Sequence, residues 1–151
     1  MTQDPCDWPR LFQASVDQAY DAVVITDARL DPPGPEIRYV NPAFERMTGY
    51  SREEVVGLNP RFLQGPATER SVLERLRRHL ENGESFEGHA INYRKDGIPF
   101  HLEWSVAPVR NDAGTITHFV AVERDITQQM ELKEELERQA STEPLTGLYN
   151  R

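Results

Sequence analysis

The chain has 151 residues and a formal net charge of −8, with 38% hydrophobic and 28% charged residues. This length is typical of one domain with short flanking segments, and the composition excludes a wholly disordered chain. The longest aliphatic run, at 22–25, is far too short to span a membrane, and no signal peptide opens the chain, so we expect a cytoplasmic protein. The excess of acidic over basic residues argues against a surface that binds nucleic acid or anionic membranes non-specifically.

Residues that commonly hold metals are few and scattered. The single cysteine, Cys6, excludes an internal disulfide and a cysteine-rich zinc site. His79, His89, His101 and His118 do not follow a metal-binding spacing, so we predict that they are ordinary surface or strand residues and that the chain has no metal site.

The hydrophobic pattern predicts a mixed α+β domain between two flanking helices. An amphipathic helix is predicted at 8–20 and a polar helix at 128–140. Alternating or β-branched runs predict five strands, at 22–27, 36–40, 86–93, 99–109 and 116–126. A cap at Asn41, a capping box of Ser51 and Glu54, and leucine spacing predict three helices between the second and third strands, at 42–47, 51–57 and 66–80.

This order of elements, with the segment GLNPRFLQGP at 57–66, resembles the PAS superfamily. More narrowly it is similar to the light-oxygen-voltage (LOV) branch, whose flavin-binding segment is typically Gly-x-Asn-Cys-Arg-Phe-Leu-Gln-Gly. Further matching segments are TGYSREE at 48–54, NYRKDG at 92–97, PVRNDAG at 108–114 and DIT at 125–127. The resemblance implies a sensor domain at 21–127 with a five-stranded antiparallel sheet and short helices on one face. An N-terminal flanking helix within 1–20 would precede it, and a linker helix at 128–141 would follow.

The C-terminal segment ASTEPLTGLYNR, at 140–151, resembles the opening of a GGDEF diguanylate cyclase domain, with Glu143 where Asp is usual. The resemblance implies that 142–151 is the truncated start of such a domain and that the chain is a sensor fragment of a protein that makes cyclic di-GMP. The nucleotide site of a cyclase would lie beyond these residues. We therefore expect that the fragment itself is not an enzyme.

The LOV resemblance also implies a binding site for flavin mononucleotide (FMN). Arg61 and Arg77 match the arginines that hold its phosphate, and guanidinium groups suit that contact. Asn59 and Gln64 match residues that bind the ribityl chain, and Asn92 matches a residue at the polar edge of the ring. The flavin ring would lie in an apolar slot, which is expected to be lined by Val24, Thr26, Leu63, Leu80, Val106 and Phe119. Because no insertion follows Gln64, the family pattern favours FMN over the longer FAD.

Each of these residues also has an ordinary structural interpretation. Arg61 and Arg77 are the kind of residue that is usually a solvated surface cation. Asn59 before Pro60 is a natural turn pair. The apolar residues would belong to the core of any PAS domain, with or without a ligand.

Three positions depart from the LOV pattern and change the expected mechanism. The family joins a cysteine thiol to the excited flavin, but Pro60 stands at that position and has no nucleophile, so no adduct is expected. Leu102 replaces a second asparagine at the ring edge, and Glu123 replaces the glutamine beside the flavin N5 and O4. An ionised Glu123 would face O4 as acceptor against acceptor. We therefore expect it to be protonated, to turn away, or to accept a proton from a reduced N5–H.

Together these features predict a flavin-binding sensor of blue light, of redox state, or of both. We expect photoreduction of the flavin to a semiquinone, with Glu123 coupling reduction to a hydrogen-bond switch and supplying a proton. The signal would pass from the last strand through the helix at 128–140 to the cyclase. Because two cyclase domains must meet, the family implies a homodimer, whose seam would include Leu132 and Leu136.

Two other functions are compatible with the sequence. The loss of the family's Cys, Asn and Gln at three pocket positions is what a cofactor-free PAS module for dimerisation or small-ligand binding would look like. The segment LEWSVAPV at 102–109 is similar to the FAD-binding redox PAS domains of nitrogen-fixation regulators, which favours a dark redox sensor.

Overall fold

A computed structural model of the chain describes residues 7–142. Cys6 and the GGDEF-like residues after Thr142 lie outside the described residues. The strands are β1 Ala22–Asp27, β2 Ile37–Val40, β3 Phe86–Tyr93, β4 Pro99–Arg110 and β5 Ile116–Asp125. The helices are α1 Trp8–Asp17, α2 Pro42–Thr48, α3 Arg52–Val55, α4 Arg70–Glu81 and α5 Thr127–Thr142, with a short 3-10 helix at Pro60–Leu63.

The five strands of the described residues form one sheet in the order β2-β1-β5-β4-β3, and all neighbouring strands are antiparallel. This confirms the predicted α+β fold. Alternate residues of β4 are buried from Phe100 to Val106, while Glu103 and Ser105 between them are exposed. One face of the sheet therefore carries the core and the other faces solvent.

Capping side chains begin the helices that cross the covered face of the sheet. Asn41 caps α2 by accepting a hydrogen bond from the Phe44 N–H. Ser51 and Glu54 form the predicted capping box of α3. Asn59 caps the 3-10 helix by accepting from the Arg61 N–H.

Three helices are shorter than predicted. The helix predicted at 51–57 spans only Arg52–Val55. In the other two, side chains bind the flanking residues in other contacts. The helix predicted at 66–80 begins only at Arg70. The residues before it form a turn in which the Thr68 hydroxyl accepts from the Gly65 N–H and donates to the Ile91 carbonyl of β3. The helix predicted at 8–20 ends at Asp17, after which the buried Asn41 amide holds the Val16 and Asp21 carbonyls.

Buried apolar residues form two clusters on the covered face. The first joins β1 and β2 to α2 and α3 and contains Ala22, Val24, Ile37, Val40, Ala43, Phe44, Val55 and Leu63. The second joins α4 to β3, β4 and β5 and contains Leu80, Phe86, Ala90, Phe100, Leu102, Trp104, Val106 and Phe119.

Candidate functional site

A cavity of about 570 Å³ opens between the covered face of the sheet and α4, and residues of both clusters line it. This volume lies within the range of about 300–1,000 Å³ that is typical of small-molecule sites. The predicted site residues that line it are Val24, Thr26, Asn59, Arg61, Gln64, Arg77, Leu80, Val106, Phe119 and Glu123. Pro60 lies in the same wall, next to Asn59.

Three predicted site residues are not brought to the cavity wall. Leu63 is 3% exposed, because the 3-10 helix turns its side chain into the first cluster. Leu102 is 2% exposed within the second cluster. Asn92 lies near the end of β3, directly opposite Phe100 on β4 and outside the lining residues.

Other lining residues were not singled out from the sequence, although two simple spacings pointed to some of them. Trp104 is two positions before Val106 on β4, so strand alternation places both on the covered face. Leu73 and Leu76 lie on the same side of α4 as Leu80. The loop residues Leu30, Pro32, Gly34 and Pro35 and the cation Arg70 gave no comparable signal.

Glu123 is the buried ionisable group of this cavity. It is 8% exposed, and its Oε1 has no hydrogen-bond partner among the described residues. Burial raises the pKa of its carboxyl to about 7. At neutral pH this group is therefore partly protonated, and its Oε1 could accept a hydrogen bond that no described residue donates.

The loop at 31–35 occupies the hydrogen-bonding groups of Asn59. The Asn59 amide donates to the carbonyls of Pro33 and Pro35, each at 3.0 Å. Its Oδ1 accepts from the Arg61 N–H at 2.9 Å and from Arg61 Nε at 3.1 Å. Because an amide side chain has two donor hydrogens and two acceptor lone pairs, these four bonds use all of them. In this arrangement Asn59 anchors the loop.

Arginines provide the positive charge at the cavity. Arg61 Nη2 donates to the Pro33 carbonyl at 2.8 Å. Arg77 pairs with Glu81, with 3.0 Å between Nε and the carboxylate, and both side chains are about half exposed. An exposed ion pair of this kind contributes only about 0–1 kcal/mol, so a phosphate can compete for Arg77. Arg70 also lines the cavity and adds a third cation.

Two of the four histidines lie side by side on neighbouring strands. His89 Nε2 and His101 Nδ1 lie 3.2 Å apart, because β3 and β4 bring the two side chains together on the solvent face. Within residues 7–142 no group of three or more His, Cys, Asp or Glu side chains is arranged to hold a metal ion. Across the same residues, no helix has the length and apolar character needed to cross a bilayer.

Comparison with known proteins identifies the family. Residues 21–128 match the model of the PAS domain family. A blue-light-activated histidine kinase of Brucella anthropi is 37% identical over 131 residues, which are 87% of this chain and 26% of the kinase. The structure of an RNA-binding light-oxygen-voltage receptor has 33% identity and a TM-score of 0.78, over 93% of this chain and 41% of the receptor.

A second solved structure is similar over nearly its whole length. The LOV domain of a blue-light activated histidine kinase from Erythrobacter litoralis has 36% identity and a TM-score of 0.67, over 73% of this chain and 99% of that domain. The matched region here contains the sheet, the helices that cross it and the cavity between them. The chain therefore belongs to the PAS domain family and, within it, to the light-oxygen-voltage branch.

Proposed function

We propose that this chain is an FMN-binding sensory domain that responds to blue light or redox state without forming a cysteinyl adduct. The observation that carries the proposal is the unpaired, buried Glu123 oxygen in an apolar cavity that is also lined by arginines. A flavin presents the matching chemistry: an apolar ring, a polar ring edge and a dianionic phosphate. When bound, it supplies absorption of blue light and one-electron chemistry.

The residues present fit the parts of FMN as follows. Arg61 and Arg77 hold the phosphate, since bidentate guanidinium contacts are the strongest that the wall offers to an oxyanion. Val106 and Phe119 would contact the ring, and Gln64, whose side chain is exposed, would bind the ribityl chain. Asn59 contributes only after one of its bonds to Pro33 or Pro35 is exchanged for a ribityl hydroxyl.

The adduct-free mechanism is supported by the chemistry of position 60. Pro60 lines the cavity and carries no thiol, and the single cysteine of the chain, Cys6, lies outside the described residues. Glu123 then takes the principal role. Its neutral carboxyl would donate a hydrogen bond or a proton to the ring, and its carboxylate would accept a hydrogen bond from the ring.

The output route follows the strand that carries Glu123. Asp125 ends this strand and Thr127 begins α5. The exposed Leu132 and Leu136 of α5 would form a seam with a second copy of the chain. In this proposal α5 leads into a GGDEF domain and controls a diguanylate cyclase, while the chain itself has no cyclase activity.

The absorption spectrum of the purified protein tests flavin binding. We expect a banded blue absorption and flavin fluorescence, either as purified or after reconstitution with FMN. A colourless protein that FMN cannot reconstitute contradicts the proposal and favours a cofactor-free PAS module. Released cofactor, identified by chromatography, distinguishes FMN from the FAD of a dark redox sensor.

Illumination tests the mechanism. An adduct bleaches the blue band, whereas photoreduction adds absorption to its red side. In Glu123→Gln we expect this light-induced spectrum and its pH dependence to change; if both stay as in the unmodified protein, the role given to Glu123 is wrong.

Light scattering tests the proposed dimer. A chain that stays monomeric at every concentration contradicts it.

A further inference from the structure

Trp104 is the readily oxidised side chain of the cavity. It is 8% exposed, lies on the covered face of β4 and lines the cavity together with Glu123. Among the described residues that line the cavity there is no Tyr, Cys, Met or His, and the other aromatic ring is that of Phe119. Indole loses an electron far more easily than a benzene ring or an aliphatic chain does. Among the residues that line the cavity, Trp104 is therefore the one best suited to donate an electron.

The position of Trp104 is fixed by its neighbours. Its Cα is paired with that of Glu123 across β4 and β5, and its ring lies 5.3 Å from the ring of Phe86, centroid to centroid. A large aromatic side chain held in this way keeps its face or edge against whatever fills the cavity. Burial also keeps water away from the ring, which slows loss of an oxidised indole to side reactions.

We propose that Trp104 is the electron donor to photoexcited flavin in this domain. The inference rests on the proposed function, because it requires a flavin in the cavity. It adds the source of the electron, which neither Pro60 nor Glu123 supplies.

The electron and proton balance as follows. The indole of Trp104 loses one electron to the excited ring, and the neutral Glu123 carboxyl donates one proton to N5. A small thiol in solution then returns one electron to the oxidised indole and releases one proton, which restores the Glu123 carboxyl. Two such events, in two molecules of the protein, oxidise two thiols to one disulfide and leave each flavin with one added electron and one added proton. No covalent bond between the flavin and the protein forms.

The two tryptophans of the chain provide a matched pair of variants. Trp8 lies on α1 with 47% of its surface exposed and is not among the residues that line the cavity. FMN-loaded Trp104→Phe and Trp8→Phe are compared with the unmodified protein under blue light and a thiol such as dithiothreitol. We expect Trp104→Phe to lengthen the flavin fluorescence lifetime several-fold and to slow photoreduction, and Trp8→Phe to leave both unchanged.

A second measurement needs no change of the core. In the unmodified FMN-loaded protein, transient absorption after a blue pulse is expected to show oxidised tryptophan forming as the excited flavin decays. Absence of that signal overturns the proposal, as does an unchanged lifetime and photoreduction rate in Trp104→Phe. The visible spectrum before illumination separates the two proposals: a protein that binds FMN but shows no tryptophan oxidation contradicts the role of Trp104 alone, whereas a protein that binds no FMN contradicts both.

Discussion

Trp104 and Glu123 face each other across β4 and β5, and both side chains reach the same cavity. The Glu123 side chain is buried, and its Oε1 has no hydrogen-bond partner among the described residues. An unpaired carboxylate in such surroundings is costly, so the protonation of Glu123 is linked to the stability of the fold.

The stability of the ligand-free protein is expected to fall as the pH rises from 5 to 8. The pKa of Glu123 is raised to about 7 from the ordinary value of 4.5. Between these values the folded chain holds a proton that the unfolded chain has lost, so the free energy of unfolding decreases with pH. The shift corresponds to about 3 kcal/mol, as an order of magnitude. Urea denaturation at pH 5 and pH 8 measures it.

The comparison with Glu123→Gln isolates this contribution, because glutamine does not titrate. We expect the difference in unfolding free energy between the two proteins to change with pH in this window. Glu103→Gln, on the solvent face of the same strand pair, is the control and should follow the unmodified protein. A pH dependence that survives in Glu123→Gln assigns the effect to other groups.

Asn41→Ala is expected to destabilise the protein by about 3 kcal/mol. The side chain of Asn41 is fully buried and accepts hydrogen bonds from the Val23 and Phe44 N–H groups. Its amide donates to the Val16 and Asp21 carbonyls and so joins the end of α1 to the start of β1. Removing the side chain takes away all four of these hydrogen bonds. Denaturation of the variant measures the loss.

Asn111→Ala is the matched control for this prediction. Asn111 also accepts two backbone hydrogen bonds, but in an exposed turn where water can replace it, so the cost should be below about 1 kcal/mol. Equal losses in the two variants contradict the structural role of Asn41.

Local signals in the sequence predicted much of the fold. Asn41 and Ser51 cap helices where predicted, because a cap involves one side chain and the backbone N–H groups just after it. The start of α4 was not predictable in this way. The Thr68 hydroxyl binds the Ile91 carbonyl, and nothing in the sequence around Thr68 indicates that β3 will lie there.

The candidate site was predicted best where a motif and a periodicity agreed. Arg61 and Arg77 come from different elements but match one family pattern, and both line the cavity. Trp104 was missed although the alternation of β4 placed it on the covered face. The contacts of Asn59 with Pro33 and Pro35 could not be predicted, because they depend on how the loop at 31–35 folds back.

Gly34→Ala is expected to cost more stability than Gly114→Ala. Both glycines have positive φ, +92° and +83°, where a side chain is strained by about 1–2 kcal/mol. A Cβ at Gly114 meets no atom within 4 Å, whereas one at Gly34 would lie 2.5 Å from Asn59 Nδ2. The Gly34 variant must therefore also displace Asn59 from the loop. Thermal denaturation of both variants measures the difference, and equal losses would show that the contact with Asn59 is unimportant.

The start of α5 depends on Asp125. Its carboxylate accepts from the Thr127 N–H and hydroxyl, and it receives Arg94 Nη2 at 2.7 Å. Burial alone would raise the pKa of Asp125, but the hydrogen bonds from Thr127 and the charge of Arg94 outweigh it and lower the pKa below 3.8. The ionised form therefore stabilises the fold above the unfolded pKa, and the contribution is lost as the pH falls through the folded value.

Asp125→Ala is expected to destabilise the protein by about 2 kcal/mol at neutral pH, since hydrogen bonds to a charged group are lost. The amides at the start of α5 should exchange hydrogen faster, while those of β1 should change less because β5 still pairs with it. Glu137→Gln, which removes only an exposed pair with Lys133 on α5, should leave both stability and exchange nearly unchanged. The difference in unfolding free energy between Asp125→Ala and the unmodified protein should become smaller as the pH falls below 3.8. Protonation of Asp125 weakens the same contacts that the substitution removes. If this difference in unfolding free energy does not change with pH, the charge of Asp125 does not hold α5 to the sheet.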